Sequence, residues 1–220
     1  MWYILHKQKV GRKDSFQIII MIASKSLFLI CLIILGCISN IAVCKKKSSA
    51  EQNKEKIELR KRTISTLLST NPIIYLGDTN FSKYVVERPR EYHAVLLFTA
   101  TASQYQCSVC LKTKNTFIEA ASHYVNQYDF ETTPIENRVV FFVLEVDAAR
   151  SVFSDMQLET VPRLYALPPT EAKSPKMKIS NFEIEAKALL DGTASLLNEV
   201  SEVAKIKVII SLSGNLILIY

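Results

Sequence analysis

Residues 93–128 read "HAVLLFTATASQYQCSVCLKTKNTFIEAASHYVNQY". The stretch opens on an apolar run, "HAVLLFTA" (93–100), with no polar alternation, as in a strand buried on both faces of a sheet. A polar loop follows, and then Cys107 and Cys110 in "QCSVC" (106–110). "LKTKNTFIEAASHYVNQY" (111–128) places Phe117, Ala121 and Tyr124 on one face of a helix. The order strand, loop, cysteine pair, helix is the local pattern around which the rest of the chain is read.

Upstream, "AEQNKEKIELRKRTISTLLST" (50–70) repeats Ile57, Ile64, Leu67 and Leu68 at helical spacing among charges, and Asn71-Pro72 ends that helix. "IIYL" (73–76) reads as a short buried strand, Thr79 to Val85 as a short helix, and Arg88-Pro89-Arg90 as a surface link. Downstream, "RVVFFVLEVD" (138–147) is a second buried strand, followed by a short helix from Asp147 through Met156. "PRLYAL" (162–167) is a further strand stopped by Pro168-Pro169, and "MKISNFEI" (177–184) is spaced for a half-buried edge. "DGTASLLNEVSEVA" (191–204) is a helix with Thr193 as its capping residue. Alternating strands and helices predict an α/β layer fold. A cysteine pair after a buried strand and at a helix start makes it a thioredoxin-like domain, a central mixed sheet flanked by helices.

The chain has 220 residues, 49% of them hydrophobic, with only 5 glycines, so it can build a core and is not a disordered or fibrous sequence. Much of the excess behind the net charge of +6 is local, at Lys7, Lys9, Arg12, Lys13 and the "KKK" of 45–47, and no basic stripe marks a nucleic-acid partner. "LFLICLIILGCISNIAV" (27–43), with Lys25 before it and Lys45 after, has the parts of a secretory signal. Residues 1–44 are read as a signal peptide or signal anchor, with Met21 as an alternative start, and 45–205 as the domain. Residues 206–220 form an apolar tail, shorter than the roughly 20 residues of a membrane span. "NFS" places a glycan acceptor at Asn80, in keeping with secretory delivery.

Three chemistries suit Cys107 and Cys110: a redox pair, half a zinc site, or a structural disulfide. Zinc needs four ligands, and neither His93 nor His123 has ligand-like spacing, so no metal and no cofactor is expected. A disulfide across so short a loop adds little stability, because loop-closure entropy grows with loop length. The redox reading is the strongest. The helix amino end favours a thiolate at Cys107, the attacking thiol, and Cys110 one turn inside is the resolving one. Ser108-Val109 between them is neutral and "AVLLFTA" carries no acid, which points to a modest oxidant. Val161-Pro162 precedes the strand "RLYAL"; it reads either as an ordinary trans proline at a strand start or, the favoured reading, as the proline that in thioredoxin-like folds is cis and lies beside the active sulfur, where an extended substrate pairs with the backbone.

"LLFTATASQYQCSVCLKTKNTF", "FFVLEVD" and "VPRLYALPP" together resemble the thioredoxin-like subunit of the oligosaccharyltransferase complex, the family that includes the tumour suppressor candidate and magnesium transporter proteins. The resemblance covers about residues 50–205, with Phe98-Thr99-Ala100, Gln106 to Cys110, Pro162 and Pro168-Pro169 on the family pattern. It implies a membrane-associated lumenal domain in the endoplasmic reticulum and an accessory role in protein N-glycosylation. Nascent glycoproteins with cysteines and other transferase subunits are the implied partners. By the resemblance, Cys107 captures a client in a transient mixed disulfide, Cys110 releases it, and Val161 and Pro162 line the peptide groove. Family members continue into four membrane helices, so the tail at 206–220 reads either as the start of a truncated membrane region or as an end without the anchor. A free lumenal oxidoreductase or isomerase, and a peptide-binding module with a structural disulfide, are the rival readings.

Overall fold

The computed structural model describes residues 49–206 and the strands 208–212 and 215–219. They lie almost wholly in the second of two units, Met1–Ser49 and Ala50–Tyr220. The signal or anchor segment at 1–44 falls outside the described residues.

Helix α1 (Ser49–Leu68) leads to strand β1 (Ile73–Leu76) and the short helix α2 (Asp78–Phe81), which widens into a π-helical turn over Ser82–Val86. Strand β2 (His93–Thr99), helix α3 (Cys110–Gln127), strand β3 (Val139–Glu145) and helix α4 (Arg150–Asp155) follow. Strand β4 (Arg163–Leu167), strand β5 (Glu183–Ile184), helix α5 (Lys187–Asp191) and helix α6 (Thr193–Ala204) complete the domain. Beyond it, β6 (Val208–Leu212) and β7 (Asn215–Ile219) pair antiparallel in a hairpin.

The main sheet has five strands in the order β1-β3-β2-β4-β5. β1 and β2 run parallel to β3 on its two sides, β4 runs antiparallel to β2, and β5 antiparallel to β4. Each residue of β2 is buried, and its alternation divides two cores. Val95 and Leu97 pack with Phe141, Val143, Phe117, Ala121 and Leu196, under α3 and α6. Ala94, Leu96 and Phe98 pack with Phe142, Leu144, Ile64 and Phe153, under α1 and α4. A strand covered on both faces has no polar side to show, which is why "HAVLLFTA" does not alternate. Burying each such large side chain stabilises the fold by roughly 1.5–3 kcal/mol.

Several expectations shift. The link Arg88-Pro89-Arg90 is not a surface feature: Arg90 is buried and the Arg88-Pro89 bond is cis. The Arg90 guanidinium donates to the carbonyls of Val85, Tyr92 and Pro168, so its charge is held by backbone oxygens rather than by water. "MKISNFEI" is mostly a 3-10 turn (Ile179–Phe182), with only Glu183–Ile184 as strand. Thr193 is not the capping residue of α6; Gly192, at φ 112°, holds that position, and the buried Thr193 is the first residue of the helix. A left-handed φ at the junction of α5 and α6 is one that glycine adopts without strain.

Candidate functional site

The carboxyl end of β2 delivers the chain to the cysteines. Thr99 ends the strand, Ala102 opens a 3-10 turn over Ser103–Tyr105, and Gln106 takes a left-handed conformation at φ 49°. Cys107 and Cys110 are joined, with S–S 2.00 Å and Cα–Cα 5.4 Å. α3 begins at Cys110 itself rather than at Cys107, so Cys107 stands one turn ahead of the helix. The backbone closes that turn, with the Cys110 N–H donating to the Cys107 carbonyl at 3.3 Å. Thr113 then fastens the first helical turn through its hydroxyl, which donates to the carbonyls of Val109 and Cys110 at 3.0 Å.

The two sulfurs sit in unequal places. Cys110 is 0% exposed, whereas Cys107 is only half-buried. Tyr105, Val109 and Leu111, which flank the cysteines in sequence, are exposed apolar side chains, Leu111 at 60%. The Val161-Pro162 bond is cis, and both residues are half-buried. Antiparallel pairing sets Phe98 opposite Arg163, which carries Pro162 to the Thr99 end of β2, where the cysteine loop departs. His93 lies at the other end of that strand, its Nε2 bound to the Glu136 carbonyl, and His123 lies near Glu119 on α3. Asn80 sits in α2, where its Oδ1 accepts the Gly77 N–H at 2.8 Å.

A group that sequence reading missed lies beneath the loop. Glu145, the last residue of β3, is paired in register with Thr99. Its Oε1 accepts from Lys114 Nζ at 2.8 Å and from Thr101 Oγ1 at 2.7 Å, and its Oε2 accepts the Thr101 N–H at 3.0 Å. Lys114 also lies over the Tyr75 ring, 5.0 Å from its centre. Burial pushes the Glu145 carboxyl up, but the Lys114 ammonium and the Thr101 donors outweigh it and hold it below its ordinary value. Two residues on, Asp147 takes the Tyr105 hydroxyl at 2.5 Å and the Gln104 amide at 3.2 Å. Carboxylates at the end of β3 therefore clasp both ends of the 101–105 segment. The one sequence signal for Glu145 was the lone charge closing "VVFFVLE".

A mixed sheet of order β1-β3-β2-β4-β5, a CxxC disulfide at the head of α3 and a cis-proline at the start of β4 define a thioredoxin-like domain. The chain belongs to the family described as "OST3 / OST6 family, transporter family", whose model matches residues 61–219. It is 24% identical over 159 residues to dolichyl-diphosphooligosaccharide--protein glycosyltransferase subunit MAGT1 of Homo sapiens, covering 71% of this chain and 45% of the relative. It is 30% identical over 97 residues to the probable dolichyl-diphosphooligosaccharide--protein glycosyltransferase subunit 3 of Dictyostelium discoideum, covering 43% and 26%. The chain thus spans less than half the length of these curated relatives. Among solved structures, chloroplastic thioredoxin z matches with a TM-score of 0.41 and 14% identity, over 60% of this chain and 95% of that one. Among the described residues, no helix is long and apolar enough to cross a membrane.

Proposed function

We propose that this chain is an accessory subunit of the oligosaccharyltransferase complex, placed at the endoplasmic reticulum membrane with its domain in the lumen. In this role it holds nascent acceptor proteins by a transient mixed disulfide. The observation that carries this reading is the unequal exposure of the two bonded cysteines, with Cys110 buried and Cys107 half-buried among exposed neighbours in sequence. The family membership supports the complex, since the relatives are named as subunits of that transferase.

The chemistry balances without an added oxidant. A thiolate on the client attacks Sγ of Cys107, forming the mixed disulfide and expelling Cys110 as the thiolate. Release is the reverse step: the Cys110 thiolate attacks Sγ of Cys107, the disulfide re-forms, and the client leaves as a thiolate that takes up a proton. Only Cys107 presents a sulfur to a bulky client, so Cys107 captures and Cys110 resolves. Val161 and Pro162, at the edge of the same opening, serve as the backbone rail for an extended client segment. While the client is held its folding is delayed, and acceptor asparagines stay available to the transferase.

The test is glycan occupancy in cells that depend on this chain. With Cys107→Ser and Cys110→Ser together, sequons near client cysteines should lose occupancy while other sequons keep theirs. Unchanged occupancy at both classes would sink the tether. A general loss of correct disulfides without loss of glycans would instead indicate a free oxidoreductase.

A further inference from the structure

We infer that the cleft between α1 and the 130–138 segment is a halide site, in which Arg60 and Arg138 hold one chloride-sized anion. The cleft lies at the strand ends away from the cysteine loop, since Tyr92 directly precedes β2 and Arg138 directly precedes β3.

Arg60 and Lys61 line it from α1, Glu91 and Tyr92 from the entry to β2, and Phe130 and Arg138 from the entry to β3. Arg60 is 5% exposed and Arg138 6%, and in both the guanidinium Nε has no hydrogen-bond partner. The other nitrogens are engaged. Arg60 donates to the carbonyls of Glu87 and Pro89 and to the Glu87 carboxylate. Arg138 donates to the carbonyls of Glu91, Glu131 and Thr133, all neutral acceptors. A buried donor left unpaired on a charged group is costly, and two side chains that each carry one line the same cleft.

Charge points the same way. Buried Arg90 lies 6.0 Å from the centre of the Tyr92 ring, and its guanidinium donates only to carbonyls. Burial lowers that guanidinium to about 10, and the charges of Arg60 and Arg88 push the same way, so these cations feel one another. Among the described residues, the one ion pair made by Arg60, Arg90 and Arg138 is Arg60 with Glu87, whose side chain is 50% exposed. Glu91 is half-buried at the cleft. Asp129 feels the Arg138 charge, but it is exposed and takes the N–H groups of Glu131 and Thr132. Three buried cations with so little buried negative charge favour an anion as the missing partner. The void at the centre of the cleft is about 10 Å³, room for one water-sized particle and too small for a sulfate or phosphate. A water would satisfy the donors and leave the charge, whereas a chloride ion answers both. Bound there, it ties α1 to the start of β3.

The experiment unfolds the full chain with urea at constant sodium, exchanging chloride or bromide for gluconate. Stability should rise with chloride along a saturating curve. At ten times the half-saturating concentration, the unfolding equilibrium constant should be about elevenfold lower than in gluconate. Glu87→Gln removes the one paired carboxylate and should lower the half-saturating concentration about threefold, while Lys61→Glu places an acid at the mouth and should raise it about threefold. Both side chains reach the surface, so both variants should fold. A stability that ignores chloride, as when water alone occupies the cleft, would overturn the site. So would a rise without saturation that is equal in all three chains, which is a general salt effect, or a saturating rise that neither variant moves, which places the ion elsewhere. None of these results bears on the cysteine tether.

Discussion

Nε2 of His93 donates to the carbonyl oxygen of Glu136 at 2.9 Å, while Nδ1 of the same buried ring has no hydrogen-bond partner. Burial pushes this imidazole down to about 4 from 6.5, only partly offset by the Glu136 bond. The folded state therefore holds a neutral ring that the unfolded chain protonates more readily. Stability is full above the unfolded value near 6.5 and declines as pH falls toward 4. About 2 kcal/mol should be lost by pH 5. Denaturant unfolding at pH 7.5 and 5 would measure it, and His93→Gln should flatten the dependence in that window.

Arg90 is 2% exposed, and its guanidinium ties the carbonyls of Val85, Tyr92 and Pro168. Arg90→Ala leaves those oxygens dry and unpaired and should cost roughly 3 kcal/mol or more. Arg90→Lys should rescue little, because an ammonium cannot reproduce the planar fork. Equilibrium unfolding of both variants is the check.

The Tyr105 hydroxyl reaches Asp147 across the mouth of the cysteine loop. Tyr105→Phe should leave the melting temperature close to that of the parent yet speed amide exchange over 101–107. Exchange that stays slow in that segment would show that the clasp does not order it.

Leu111 is exposed on the helix turn that follows Cys110. Leu111→Asp should preserve the fold and lower the yield of mixed disulfide with a cysteine peptide several-fold, most strongly when the peptide carries apolar neighbours. An unchanged yield would remove Leu111 from the docking surface.

The sheet was legible because its strands are apolar runs of strand length: "IIYL" forms β1 over the same four residues, and "HAVLLFTA" forms β2 less its last residue. The cysteine pair was legible because its spacing and its place before a helix are local. What escaped was long-range. Glu145 meets Lys114 across 31 positions, and neither residue alone differs from any charged residue at the end of a strand or on a helix. Arg90 read as a loop residue because its carbonyl partners, Val85, Tyr92 and Pro168, carry no side-chain signature. The short helix Lys187–Asp191 escaped because five residues give too little periodicity to count.

The most direct test of the tether is covalent trapping with the full chain. In cells expressing Cys110→Ser, rapid acid quenching and alkylation should preserve mixed disulfides through Cys107. Mass spectrometry should then find glycoprotein clients together with transferase subunits. The matched Cys107→Ser chain should trap almost nothing, because Cys110 is buried. Equal trapping by both variants, or no covalent partner with Cys110→Ser, would contradict the account.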